Sequence, residues 1–298
     1  MTVNRRAFLT SGSLLGVGLL AGSASASIRV AHPEKEGVLR FSSQEWLIPG
    51  KTLQEKIDKM EAWGFEGIEF GGGGLAGRVE EIQKVLGNSK IKTSAICAGF
   101  KGAPVSDQPE VRQQCLDSCK EILAAAGAIG STGLIIVPAF NGQTKLGHVE
   151  ARNILVKEIL PELGEAAQTA GTRILLEPLN RGEAWILRQL ADAAAICRDV
   201  NHPAICMMGD FYHMGIEEPC DYAAFMSCRK YVHHVHLASR PNRKQPGYDP
   251  NDDFRPGFKA LKEIGFQDYC SFECGVEGKA DEAIPKTMEY LRRQWDEA

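Results

Sequence analysis

The sequence predicts an α/β protein, a single (β/α)8 TIM barrel spanning residues 37–298. Three observations lead there. Short, β-rich apolar runs alternate with amphipathic segments along the chain. There are eight such pairs, and helix-length crossovers between strands argue for a parallel sheet covered by helices. No glycine fingerprint follows the first strand, so an open dinucleotide-binding sheet lacks its phosphate grip.

The candidate strands are Val38–Phe41, Gly67–Phe70, Ile91–Ala98, Gly133–Val137, Arg173–Glu177, Ala204–Gly209, Val232–Leu237 and Tyr269–Glu273. The candidate helices are Leu53–Trp63, Ala76–Leu86, Pro109–Ala128, Val149–Ala170, Ala184–Val200, Pro219–Lys230, Arg255–Ile264 and Ala283–Trp295. The third helix shows the logic. Val111, Cys115, Cys119, Ile122 and Leu123 recur at helical spacing, with Arg112, Gln113, Asp117 and Lys120 between them. Gly64, Gly87, Gly171 and Gly265 each precede a strand, where a left-handed residue ends a helix at little cost. Gly71–Gly74 has no G-K-S/T after it, and reads as a flexible loop following the second strand. The two long helices, Pro109–Ala128 and Val149–Ala170, could serve a homo-oligomer interface; core packing explains them equally well.

Residues 1–26 read as a secretory signal. Arg5-Arg6 precedes an uncharged apolar run, and Ala24-Ser25-Ala26 has the small-x-small form of a cleavage site. The paired arginines favour the twin-arginine route and its export machinery, hence a periplasmic or otherwise exported protein, with an uncleaved membrane anchor as the alternative. A flexible segment, 27–36, would join it to the barrel. Removing the signal leaves 32 basic against 38 acidic residues, a balance of −6. Such a surface does not attract phosphate backbones, and no nucleic-acid partner is expected. The nine cysteines are odd in number and contain no C-x-x-C pair. Most lie in apolar runs and read as free, buried thiols, with Cys115 and Cys119 on one helix face.

In a TIM barrel the C-terminal strand ends face the active site. Strands five to eight run into Glu177, Asp210, His236 and Glu273, four consecutive strands each delivering a metal-ligand type. Three carboxylates crowded together repel one another and take up protons unless a cation holds them. An O3N donor set suits one divalent metal ion, Mn2+, Mg2+ or Co2+, with Zn2+ as the alternative. Glu69 could orient a metal ligand or a substrate hydroxyl, or form a structural ion pair. His234 shares a face with His236 under two-residue alternation and is a candidate supporting residue, whereas His233 points to the helix layer. Trp46 could wall a pocket or pack in the core.

These segments resemble the sugar isomerase/epimerase superfamily, the xylose isomerase-like TIM barrels, which also include endonuclease IV. The likeness runs over essentially the whole mature chain. It is strongest to the ketose 3-epimerase and hydroxypyruvate isomerase branch. Glu177-Pro178-Leu179-Asn180-Arg181-Gly182-Glu183 is similar to that branch's strand-five motif. Asp210-Phe211-Tyr212-His213 resembles its strand-six motif, and His236 with Asn242-Arg243 its strand-seven motif. The resemblance implies that Glu177, Asp210, His236 and Glu273 bind metal, while Glu183, His213 and Arg243 bind a small-molecule sugar. The strand-seven loop is one residue longer than the motif, so Arg240 competes with Arg243 for the last role.

The implied reaction is isomerisation or epimerisation of a sugar by proton transfer through a metal-bound enediolate, with Glu177 and Glu273 as acid and base. Two faces worked by two glutamates give epimerisation; one glutamate serving adjacent carbons gives aldose–ketose isomerisation. A lyase or hydratase acting on keto-sugars or keto-glycosides would use the same site, and a noncatalytic sugar-binding barrel is a third reading. A DNA-repair nuclease would need further histidines at earlier strand ends, where strands three and four offer only Ala98-Gly99-Phe100 and Pro138-Ala139-Phe140.

Overall fold

The computed structural model describes residues 35–298. The signal segment 1–26 and nearly all of 27–36 lie outside the described residues. Eight parallel strands close a barrel in chain order: β1 (Arg40–Gln44), β2 (Gly67–Gly71), β3 (Lys92–Cys97), β4 (Leu134–Ile136), β5 (Ile174–Leu176), β6 (Ile205–Asp210), β7 (Val232–Leu237) and β8 (Tyr269–Phe272). β1 pairs with β8, Ser42 opposite Ser271, which completes the ring. The helices are α1 (Leu53–Trp63), α2 (Val79–Leu86), α3 (Pro109–Ala128), α4 (His148–Ile154), α5 (Leu160–Ala170), α6 (Leu190–Val200), α7 (Phe211–Glu217), α8 (Asp221–Cys228), α9 (Arg255–Glu263) and α10 (Ala280–Asp296). No described helix is long and apolar enough to cross a membrane.

Most of the buried apolar side chains form one layer between strands and helices, from Phe41 and Ile57 round to Met288 and Leu291. A smaller cluster, Ala95, Ile135, Leu175, Cys206 and Met208, fills part of the barrel interior. The nine cysteines are free thiols, and the Cys115 and Cys119 sulfurs lie 3.9 Å apart on one buried face of α3.

Several sequence expectations need correction. β1 starts and ends later than Val38–Phe41, because Ser42, Ser43 and Gln44 are buried strand residues despite their polarity. The expected helix from Ala184 begins only at Leu190. Ala184 instead bridges to Phe140, and a capping box between Gln189 and Asp192 starts the helix. The stretch Val149–Ala170 is α4 and α5 joined by a π-helical turn, Leu155–Ile159, immediately before Pro161, whose missing N–H cannot continue the ladder. α7 directly follows β6 where no helix is expected.

Gly64, Gly171 and Gly265 are left-handed, but Gly87 is right-handed, with φ −59°. Of the glycines after β2, Gly72 is needed for a close approach. A Cβ on Gly72 would lie 2.0 Å from the Ala98 carbonyl oxygen, and one on Gly99 2.2 Å from the Gly73 nitrogen. These two backbones touch, and only glycine permits the approach.

Candidate active site

Each of the four candidate ligands is aimed by its own strand end. Glu177 follows β5, with its backbone N–H bonded to the Ile136 carbonyl. Asp210 ends β6 and caps α7. Its Oδ1 accepts from the backbone N–H groups of Tyr212 (2.7 Å) and His213 (3.4 Å), which leaves Oδ2 directed into the barrel mouth. His236 lies on β7 opposite Ser271, and Glu273 follows β8. One donor atom from each of Glu177, Asp210, His236 and Glu273 lies within 4.8 Å of the others. His236 Nδ1 is 3.1 Å from Glu273 Oε2, 3.5 Å from Glu177 Oε1 and 3.8 Å from Asp210 Oδ2.

Three of these atoms, Glu177 Oε1, Asp210 Oδ2 and His236 Nδ1, are buried and have no hydrogen-bond partner among the described residues. Orphaned buried polar atoms are costly, and three converging on one point fit a cation that they would jointly hold. The electrostatics agree. Burial, with Glu273 and Asp210 nearby, pushes Glu177 up to about 7 against the pull of His236. Burial would raise Asp210 and Glu273 too, but His236 and Arg243 hold both below the ordinary range. Burial would lower His236, yet the charges of Glu69 and Glu273 place it well above its usual value.

The substrate candidates surround this cluster. His213 Nδ1 accepts from the Asn180 backbone N–H (3.1 Å), so the neutral ring carries its proton on Nε2, 3.7 Å from Asp210 Oδ2. Burial lowers the ring's pKa, against the pull of Asp210 and with the nearby Arg243 adding to the shift. Glu183 Oε1 accepts from Asn180 Nδ2 (3.1 Å) and lies 4.0 Å from His213 Nδ1. Arg243 Nη2 stands 2.6 Å from Glu273 Oε2 and 3.8 Å from Asp210 Oδ2. Arg240 is engaged elsewhere, on Asp221 and over the Phe211 ring. It is Arg243 that reaches the cluster.

Two residues escaped the sequence reading. Asn180 ties Glu183 to His213, and its Oδ1 accepts from Gly182 N at 2.8 Å. Gln44 donates from Nε2 to Glu69 Oε1 (2.8 Å) and Glu273 Oε1 (3.0 Å). The only signal for Gln44 was its place three residues beyond an apolar run, too weak to single out one amide. Trp46, 65% exposed, is not a core residue; its indole N–H donates to Gln44 Oε1. His234 and His236 share the inner face and both meet Glu69, whereas His233 pairs with Asp268 at 2.7 Å.

Fold and site together define a TIM barrel with three acids and a histidine converging from strands β5 to β8. The chain belongs to the xylose isomerase-like TIM barrel family, whose model matches residues 57–294. It is 29% identical over 263 residues to the 3-dehydro-D-guloside 4-epimerase of Escherichia coli K12, covering 85% of this chain and 99% of that one. The apo structure of 3-keto-D-glucoside 4-epimerase from E. coli superposes with a TM-score of 0.80 at 26% identity, covering 86% of this chain and all of the other. D-psicose 3-epimerase from Clostridium cellulolyticum H10, solved with D-tagatose, shares the fold at TM-score 0.78 and 17% identity, over 86% and 99% of the two chains.

Proposed function

We propose that the protein is a divalent-metal-dependent epimerase of a sugar or keto-sugar, moving a proton beside a carbonyl with Glu177 and Glu273 as the acid/base pair. The observation that carries this is the convergence of Glu177 Oε1, Asp210 Oδ2 and His236 Nδ1, all buried and unpaired, beside Glu273. The epimerase activities named for the relatives above support the sugar and the reaction type. Glu177, Asp210, His236 and Glu273 would hold a divalent cation, which would supply Lewis-acid polarisation beside the reacting carbon.

The remaining chemistry is done by side chains. Glu177 and Glu273 end strands separated by β6 and β7, so they flank the mouth from two sides. One removes the carbon-bound proton and the other returns a proton to the opposite face. Gln44 occupies Glu273 Oε1 and leaves Oε2 toward the cluster. His213 offers its Nε2–H, Glu183 an acceptor and Arg243 a fixed positive charge to substrate oxygens.

The test combines metal analysis with isotope exchange. The mature wild-type chain is expected to carry about one divalent ion and to incorporate solvent deuterium beside a carbonyl in ketoses or keto-glycosides. Glu177→Gln and Glu273→Gln should lose the exchange. NMR of the product separates epimer from isomer and from eliminated product. A metal-free wild type, or metal content and exchange untouched by both substitutions, defeats the proposal. The same reading has the chain exported through its Arg5-Arg6 signal, which lysines at both positions should block in cell fractionation.

A further inference from the structure

Beneath the cluster lies Glu69, a buried carboxylate to which the proposed reaction gives no role. Glu69 on β2 is almost fully buried, and among the described residues no lysine or arginine is hydrogen-bonded to it. It is surrounded by donors. Its Oε1 accepts from Gln44 Nε2 at 2.8 Å, and its Oε2 meets His234 Nε2 at 2.8 Å. Both oxygens lie 3.1–3.2 Å from His236 Nε2. An ionised carboxylate only accepts, so both rings carry a proton on Nε2.

We infer that Glu69 is a positioning residue that aims two members of the candidate metal set at once, an inference that rests on the metal reading above. The first is direct. With Nε2–H pinned on Glu69, His236 must present Nδ1 to Glu177, Asp210 and Glu273. The second runs through Gln44. One N–H of its amide is held by Glu69 and the other reaches Glu273 Oε1, leaving Glu273 Oε2 facing His236 Nδ1 at 3.1 Å. Trp46 donates to the Gln44 carbonyl oxygen, which fixes which way round the amide sits.

The placement is costly for stability alone. A buried carboxylate is costly before its partners are counted, and an apolar residue of similar volume often serves folding as well. A register shift between Ile68 and Glu69 on the β2–β3 pairing marks a local irregularity of the kind that re-aims a side chain.

Glu69→Gln keeps the volume but places an amide NH2 against an N–H donor, so one ring loses its anchor. Metal-stripped mature protein is titrated with Mn2+, free ion being followed by electron paramagnetic resonance. The absorption bands of the Co2+-loaded protein report the geometry of the donors. Circular dichroism and melting establish that each variant is folded. Glu69→Gln is expected to weaken Mn2+ binding roughly 10–100-fold and to shift the Co2+ bands. Gln44→Met, which releases Glu273 while leaving the Glu69–His236 contact, should move both readouts in the same direction. It carries the test alone if Glu69→Gln does not fold. Wild-type Mn2+ affinity and unchanged Co2+ bands in folded variants overturn the inference while leaving the metal reading intact. A wild type that binds no ion overturns both, and the two failures are thereby told apart.

Discussion

The barrel interior has two unlike walls. From β3 to β6 the interior is mostly apolar, built by Ala95, Ile135, Leu175, Cys206 and Met208, with Ser94 of β3 reaching across to Ser42 of β1. From β7 through β8 and β1 to β2 they are polar and equally buried: His234, His236, Ser271, Ser42, Gln44 and Glu69. The candidate ligands crown both walls, Glu177 and Asp210 above the apolar one and His236 and Glu273 above the polar one. The apolar wall fills space, whereas the polar wall holds two of the four donors in orientation. A barrel with identical ligands over two apolar walls would have no hydrogen bonds with which to aim a histidine or a carboxylate.

The largest expected effect lies at the crown, where the walls meet. Glu177→Gln and Glu273→Gln each remove a proton-transfer group and a candidate ligand. The expected loss is about 10²–10⁴-fold in kcat, measured as deuterium exchange into substrate. If only the residue above the polar wall matters, two-faced proton transfer is wrong and a single glutamate serves both carbons.

Legibility in the sequence followed the same division. The apolar wall declares itself, since Leu175 and Met208 sit in β-rich apolar runs, and β5 to β8 were placed to within a residue or two. The crown was legible because each ligand stands at or next to the C-terminal end of such a run. The polar wall was not. Ser42-Ser43-Gln44 reads as a loop, so β1 was placed too early, although these residues pair with β2 and β8. What makes them strand-like is neighbours far away in the chain. Gln44 meets Glu273 across 229 residues, and Glu69 meets His234 across 165. Local pattern cannot encode such partners. The close approach of Gly72 to Ala98 escaped for the same reason, since nothing local distinguishes a crowded glycine from a flexible one.

The next effect separates the walls by kind. Leu175 is fully buried in the apolar cluster. Leu175→Ala should cost about 2–5 kcal/mol in stability through lost transfer energy and a residual cavity. That corresponds to a fall in Tm of roughly 5–15 °C for a barrel of this size. Mn2+ affinity of the protein that remains folded should stay near wild type, the reverse of the pattern expected for Glu69→Gln. An affinity loss matching that of Glu69→Gln would show that packing and aiming cannot be assigned to separate walls.

The smallest effect lies at the foot of the polar wall, where His233 pairs with Asp268 at 2.7 Å between β7 and the start of β8. Burial alone would lower the His233 pKa, but the Asp268 carboxylate and the Cys206 thiol raise it to about 9. The unfolded value is about 6.5. A folded pKa above the unfolded one stabilises fully below the unfolded value, and the stabilisation is lost as pH rises through the folded value. The pair should therefore contribute most below about pH 6.5 and fade as pH rises through about 9. Both side chains are partly exposed, 26% and 20%, so solvent trims the contribution to on the order of 1–2 kcal/mol. Thermal melts of wild type and Asp268→Asn from pH 6 to 10 measure it. The Tm gap between the two should be widest at the acid end and close toward pH 10. A gap that is constant across this range would mean that the His233 proton is not what holds β7 to β8 at the foot of the barrel.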